Sequence, residues 1–304
     1  MEKIEGRGLK IGWRPASTVI LVRERGGELQ VYLLKRSAES AFFPENYVFP
    51  GGAVDREDRV DDLWEDRVDM APQEIMERLG NGLALEDILA YAITAIRETF
   101  EEAGAMLCRL SGARSRDRME SLCNRRLSQG LKRGWFWETV AGEGWILGFS
   151  LLARWSHWLT PELMRKHFDT RFFVAGMPED QRCSPDTRET IDGMWIGPRK
   201  ALQLNLEGKI ALSPPTIVTL HELIEYEGLQ RLNKELETRS WGAPRFPRLV
   251  PLPKGALILQ PWDPERHQED IQIDAGTLEG KVLPVGEPFS RLWLRDGIWR
   301  PVGL

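Results

Sequence analysis

The sequence predicts an α/β protein, strictly α+β, on three observations. Two β-branched apolar runs flank a Gly-Gly pair near the N-terminus, a segment from Leu85 carries apolar residues at helical spacing, and short strand and helix signals follow it. With 304 residues, 42% hydrophobic and 29% charged, the chain is long enough to bury a substantial core. A net charge of −5 argues against a generic nucleic-acid coat. No uncharged stretch reaches 18 residues, and the first seventeen hold no apolar run. Neither a membrane span nor a signal peptide is expected.

Thr18 to Val22 and Leu29 to Leu34, joined through Gly26-Gly27, read as a β-hairpin. A loop from Ser37 to Asn46 leads to Tyr47-Val48-Phe49 and then Pro50-Gly51-Gly52, where glycines allow close backbone approach. From Asp55 to Asp69 eight acidic residues meet three basic ones, which reads as a solvated surface segment. The period of Leu85 to Leu107 is helical, with Ile93, Ile96, Phe100, Ala103 and Leu107 on one face and Glu98, Glu101 and Glu102 opposite. Gly104 suits the exit from that helix.

Eight basic residues meet two acidic ones between Arg109 and Arg133, so this stretch is a solvated helix face or the phosphate-facing wall of a pocket. Five of the twelve tryptophans follow, Trp135, Trp137, Trp145, Trp155 and Trp158, and core positions are expected for most of them. Arg171 to Val174 and Met194 to Ile196 read as strands, and Arg199 to Leu204 as a short helix. Ser213 before Pro214-Pro215 reads as a helix entrance. Eleven of the nineteen prolines lie from Pro214 onward, and Asp296-Gly297 marks a hairpin within Arg291 to Arg300.

Chemistry-bearing residues concentrate on the acidic helix. Three glutamates on one face repel unless a cation or solvent offsets them, and Arg97 alone cannot neutralise all three. Cys108, Cys123 and Cys183 form no Cys-x-x-Cys pair, consistent with a reducing compartment. His157, His167, His221 and His267 form no His-x-x-x-His pair, so oxygen ligands, and hence Mg²⁺ or Mn²⁺ rather than zinc, are expected for any metal.

Arg97-Glu98-Thr99-Phe100-Glu101-Glu102-Ala103-Gly104-Ala105, preceded by Phe49-Pro50-Gly51-Gly52, resembles the signature of the Nudix hydrolases. Every charged residue and the glycine of its second half match, with Thr99 in an aliphatic slot. In the first half Asp58 stands where a glutamate is usual. Gly52 and Arg97 are 45 positions apart, about 31 more than the signature spans, which implies an insertion at about 56–88. Glu189 and Trp195-Ile196-Gly197-Pro198 resemble a late strand of the fold. The insertion, with Leu33 to Ser37, Trp155 to Pro161 and Phe168 to Phe173, resembles the branch of peroxisomal coenzyme A diphosphatases. Arg36-Ser37, thirteen residues before Phe49, resembles the start of the wider family's coenzyme A motif, whose second arginine would fall at Ala41 and whose glycine at Glu45, so both are missing; Pro301-Val302-Gly303-Leu304 is not the branch's peroxisomal address. A cytoplasmic location is therefore expected.

The resemblance implies an α-β-α sandwich with a mixed sheet, a Nudix domain at 12–205 and a C-terminal extension, 206–304, packed on the core. It implies cleavage of a nucleoside diphosphate derivative, with coenzyme A or acyl-CoA leading. ADP-ribose, nucleotide sugars, dinucleotides or capped RNA are enzymatic alternatives, and a non-catalytic ligand-binding protein is the other. By the same resemblance Glu98, Glu101, Glu102 and the Gly52 carbonyl hold Mg²⁺ or Mn²⁺, and Arg97 orients a glutamate. Glu98 or Glu189 supplies the general base, and Arg36, Ser37, Phe49, Gly51 and Gly52 face the substrate. The expected partner is a small coenzyme A-like molecule, with no membrane or nucleic acid. Whether the tail closes the pocket, covers the core or builds a homodimer interface stays open.

Overall fold

The computed structural model describes residues 12–40, 42–59, 64, 66–109, 115–128, 132, 134–269, 271, 273–274 and 276–304. Strands β1 (Arg14–Arg25) and β2 (Glu28–Arg36) form the expected hairpin, and Gly26 and Gly27 both take positive φ, as a tight hairpin turn requires. The two strands pair only near that turn, from Val22–Val31 to Arg25–Glu28. Beyond it β3 (Tyr47–Val48) pairs with β2 and β4 (Gly51–Ala53) pairs with β1, so the Phe49-Pro50 reversal lies between the parted strands.

Short α1 (Pro72–Ile75) continues as a wider turn to Gly80 and leads to α2 (Leu85–Ala103). The period predicted a helix to Leu107, but it ends four residues earlier. Gly104 adopts a left-handed φ of 73° and returns its N–H to the Phe100 carbonyl, and Ala105 to Leu107 stay buried beyond the helix. Next come β5 (Cys108–Arg109), α3 (Ser115–Arg126), α4 (Trp135–Glu143), β6 (Ile146–Leu147), β7 (Leu152–Leu159), β8 (Phe168–Gly176) and β9 (Thr190–Ile196). Helices α5 (Pro198–Leu206), α6 (Pro214–Leu223) and α7 (Leu229–Thr238) precede a C-terminal sheet of β10 (Arg248–Pro251), β11 (Ala256–Leu259), β12 (Arg291–Arg295) and β13 (Ile298–Val302).

The main sheet is mixed. β1 runs parallel to β8 and antiparallel to its other neighbours, while β7 pairs with β8 and β9 with β2. Side-chain alternation splits β1 and β2 between two cores. Val19, Leu21, Tyr32 and Leu34 pack with α2 and α4, whereas Ile20, Val22, Val31 and Leu33 pack with α5, α6 and α7. Ile258, Leu292 and Trp299 of the C-terminal sheet join that second core, and Asn205 donates to the Trp299 carbonyl.

The sequence predicted a solvated acidic segment at Asp55 to Asp69, and its described part departs from this. Asp58 is buried against α2, and Asp69 caps the Ser150 N–H. Residues 60–63 and 65 of the segment lie outside the described residues. So do 110–114, 129–131 and 133 of the basic stretch, and Ala41. All five clustered tryptophans are buried. Among the described residues no single helix is long and apolar enough to cross a membrane.

Candidate active site

Helix α2 places the site by burying one face and presenting the other beneath β4. The Ser17 hydroxyl of β1 donates to the Tyr91 carbonyl and locks the helix to the sheet. Thr99, polar in an aliphatic slot, is fully buried and satisfies its hydroxyl on the Ala95 carbonyl one turn back.

Arg97 organises the acidic face. Its Nε and Nη2 donate to the two carboxylate oxygens of Asp58 at 2.9 and 2.8 Å, and its Nη1 donates to Glu98 at 2.7 Å and Glu101 at 2.9 Å. Nη2 also reaches the Ala53 carbonyl at 3.1 Å, so every guanidinium N–H is used. Burial alone would lower the Arg97 pKa, but Glu98, Asp58 and Glu101 outweigh it and hold the cation firmly charged.

The glutamates differ in what balances them. Glu98 and Glu101 share Arg97, and burial still raises both carboxyls above their ordinary range. Glu102 accepts the Gly51 N–H at 2.9 Å and makes no ion pair among the described residues. Burial first, and the Glu98 charge second, push it well above the usual carboxylate range. Glycine is needed at both turn positions for contact reasons. A Cβ on Gly52 would stand 2.3 Å from Glu98 Oε1, and one on Gly51 2.3 Å from the Ser17 carbonyl oxygen.

A cavity of about 450 Å³ opens over this face. Arg36, Phe49, Gly51, Gly52, the three glutamates and Glu189 line it, together with Trp158, Phe168, Pro214 and Ile258 from distant segments. A second hollow of about 300 Å³, bordered by Arg126, Lys132, Trp135 and Arg188, shares Arg97, the three glutamates and Glu189. The carboxylates therefore form the ridge between two hollows. Arg36 Nε donates to the Ser40 hydroxyl at 2.8 Å. Ser37 does not line the cavity; its N–H instead donates to the Glu189 carbonyl at 2.9 Å, tying the end of β2 to β9.

Among the described residues no three acidic, imidazole or thiolate groups close into a metal cage. The donors nevertheless suit a hard divalent cation. They are carboxylate and carbonyl oxygens, and Glu102 is buried beside the largely covered Glu98 and forms no ion pair among the described residues. Sequence reasoning missed the cavity walls from Trp158, Phe168, Pro214 and Ile258. It also left Asp58, six positions after Gly52, without a role, although the structure makes it the partner of Arg97.

The model of the NUDT19 Nudix domain matches residues 13–223. The chain is 27% identical to the acyl-coenzyme A diphosphatase NUDT19 of Xenopus laevis, over 89% of this chain and 82% of that protein. Against the Homo sapiens protein of the same name it is 28% identical, over 93% and 86%. A solved NUDIX hydrolase from Alicyclobacillus acidocaldarius superimposes with a TM-score of 0.58 at 23% identity, over 77% of this chain and 100% of that one.

Proposed function

The chain belongs to the Nudix family represented by the NUDT19 Nudix domain and is a Nudix hydrolase, and we propose that it hydrolyses the diphosphate bond of coenzyme A or acyl-CoA. Water adds across the P–O–P linkage, so both halves leave as phosphomonoesters: adenosine 3′,5′-bisphosphate and 4′-phosphopantetheine or its acyl form. The observation that carries this reading is the pair of carboxylates, buried Glu102 and half-buried Glu98, set under the Gly51-Gly52 turn at the floor of a cavity of about 450 Å³. The name borne by the relatives supplies the substrate class.

Glu98, Glu101, Glu102 and the Gly52 carbonyl would hold Mg²⁺ or Mn²⁺. Such an ion, when bound, offsets diphosphate charge and makes a bound water more acidic. The chain supplies the rest. Arg97 fixes Glu98 and Glu101 in place, and the Gly51 N–H fixes Glu102. Arg36, planar and permanently charged, meets a substrate phosphate at the cavity wall. Glu189, outside the Arg97 cluster and at the edge of both hollows, accepts the proton of the attacking water at its carboxylate. Phe49, Trp158 and Phe168 present apolar surface that keeps bulk water from the bond.

The deciding experiment measures hydrolysis of coenzyme A, acyl-CoA, ADP-ribose, diadenosine polyphosphates and capped RNA with Mg²⁺ or Mn²⁺, for the wild type and Glu102→Gln. Turnover of coenzyme A derivatives by the wild type and its loss in the variant are expected. Cleavage of ADP-ribose alone refutes the substrate, and equal turnover by both proteins refutes the site. Binding without any turnover favours a ligand-binding role.

A further inference from the structure

We infer that Arg126 is a positioning residue for this site, a clasp that holds the turn carrying Glu189 against the end of the carboxylate helix. This rests on the hydrolase reading above and concerns a residue in none of the motifs that suggested it.

Arg126 closes α3 and is 1% exposed, although it carries a permanent charge. Among the described residues no carboxylate pairs with it. Its Nη1 donates to the carbonyl of Glu101 at 2.9 Å, in the last turn of α2 where helix carbonyls lack internal partners. Its Nη2 donates to the Ser184 carbonyl at 2.6 Å and the Ser184 hydroxyl at 2.7 Å. One guanidinium thus spans two segments 83 positions apart in sequence. The Arg126 carbonyl in turn accepts from Arg188 Nη2 at 3.0 Å, so the same residue grips the turn at both ends.

What is gripped is a preformed turn that ends at Glu189. Asp186 accepts the N–H groups of Arg188, Glu189 and Thr190 and the Thr190 hydroxyl. Within it Thr187 adopts φ 65°, a left-handed conformation unfavourable for a β-branched residue, which persists because the surroundings hold it. Glu189 then stands on the ridge with Glu98 and Glu102. Thr187, Arg188 and Glu189 of this turn are exposed, so little packing holds them from outside. Arg126 supplies the tie to α2, and Gly104 leaves room for it, since a Cβ there would stand 2.9 Å from Nη2.

A double-mutant cycle with Arg126→Gln and Glu189→Gln tests this, with kcat and KM for a cleaved diphosphate and hydrogen exchange of the 186–190 amides as readouts. Glu189→Gln is expected to lower kcat about 100-fold, the low range for a positioned proton acceptor. Arg126→Gln is expected to lower kcat about tenfold or more with KM nearly unchanged, because a displaced group costs turnover before binding. The double variant should be no slower than Glu189→Gln, and exchange in the turn should rise about tenfold in Arg126→Gln. Arg126→Lys, whose single ammonium cannot bridge both segments as a guanidinium does, replaces Arg126→Gln if that variant does not fold. Additive losses, a raised KM with intact kcat, or unchanged exchange each overturn the clasp while leaving the hydrolase reading in place. A wild type that cleaves no diphosphate overturns both.

Discussion

Asp58 and Arg97 meet in a two-point ion pair, Nε to Oδ1 at 2.9 Å and Nη2 to Oδ2 at 2.8 Å, across 39 positions of sequence. Asp58 is 1% exposed and also accepts from the Thr94 hydroxyl and the Asp55 N–H, so its four contacts leave it little freedom. The long insertion between turn and helix therefore begins by supplying a partner for Arg97, and further along it buries Trp64, Met70, Ile75 and Leu79 in the core around α2. The short 3₁₀ turn Glu57–Arg59 brings the Asp58 backbone close to α2, so the short aspartate side chain reaches Arg97.

Removing Asp58 should cost stability as well as activity. Asp58→Ala leaves Arg97 buried with two of its hydrogen bonds gone, and a loss of about 3 kcal/mol is expected for a broken buried pair. Urea denaturation measures it; a change below about 1 kcal/mol would show that Arg97 redistributes among the glutamates without penalty.

Gly52→Ala should lower turnover sharply while the protein still folds. The new methyl falls within 2.3 Å of Glu98 Oε1, and the side chain, more yielding than the sheet, is what moves. Displacement of a site carboxylate by about 1 Å is expected to lower kcat about 100-fold. Steady-state rates that match the wild type would exclude Glu98 from the reaction.

Divalent cations should stabilise the wild type and not Glu102→Gln. At 100 times its Kd a ligand specific to the folded state adds about 2.7 kcal/mol, which a thermal melt with and without Mg²⁺ or Mn²⁺ resolves. In the metal-free protein the order reverses. Glu102→Gln removes a carboxyl whose ionisation is disfavoured in the fold by burial first and Glu98 second, and is expected to melt above the wild type at neutral pH. An identical cation-induced shift in both proteins would place the ion elsewhere.

Asp263 should give the C-terminal sheet a measurable acid sensitivity. Burial pushes its pKa up, but hydrogen bonds from Arg291, Ser290 and the Glu265 N–H outweigh this and hold it below the ordinary value. A depressed folded-state pKa contributes stability that is fully present above the unfolded value of about 3.9 and is lost as pH falls through the folded one. Asp263→Asn is expected to cost about 2 kcal/mol at pH 7, and the gap to wild type should close below about pH 4. Denaturation at a series of pH values checks this, and a pH-independent gap would contradict it.

Much of the molecule was legible from neighbouring residues. Gly26-Gly27 and Asp296-Gly297 name their hairpins because turn geometry demands positive φ at those positions, and both pairs adopt it. The apolar stripe of α2 and its exit at Gly104 follow from helical period and backbone freedom. Where reading along the chain failed, the reason was long-range. Charge density from Asp55 to Asp69 looks solvated until Arg97 is found to lie over Asp58, and Arg126 looks like one more surface cation in a basic run until Glu101 and Ser184 close around it.

By itself the sequence determined the hairpins at Gly26-Gly27 and Asp296-Gly297, the strands at β8 and β9, helix α2 and the spacing of Glu98, Glu101 and Glu102 on one face, since each depends on residues close together in the chain. Only the tertiary structure decided which carboxylates Arg97 pairs with, which glutamate makes no ion pair among the described residues, and that Trp158, Phe168 and Ile258 wall the cavity. Those outcomes depend on which distant segments are brought within hydrogen-bonding and contact range. Burial there turns ordinary charges into a constrained site, because a low-dielectric setting makes each pairing, and each missing partner, count for more than it does in water.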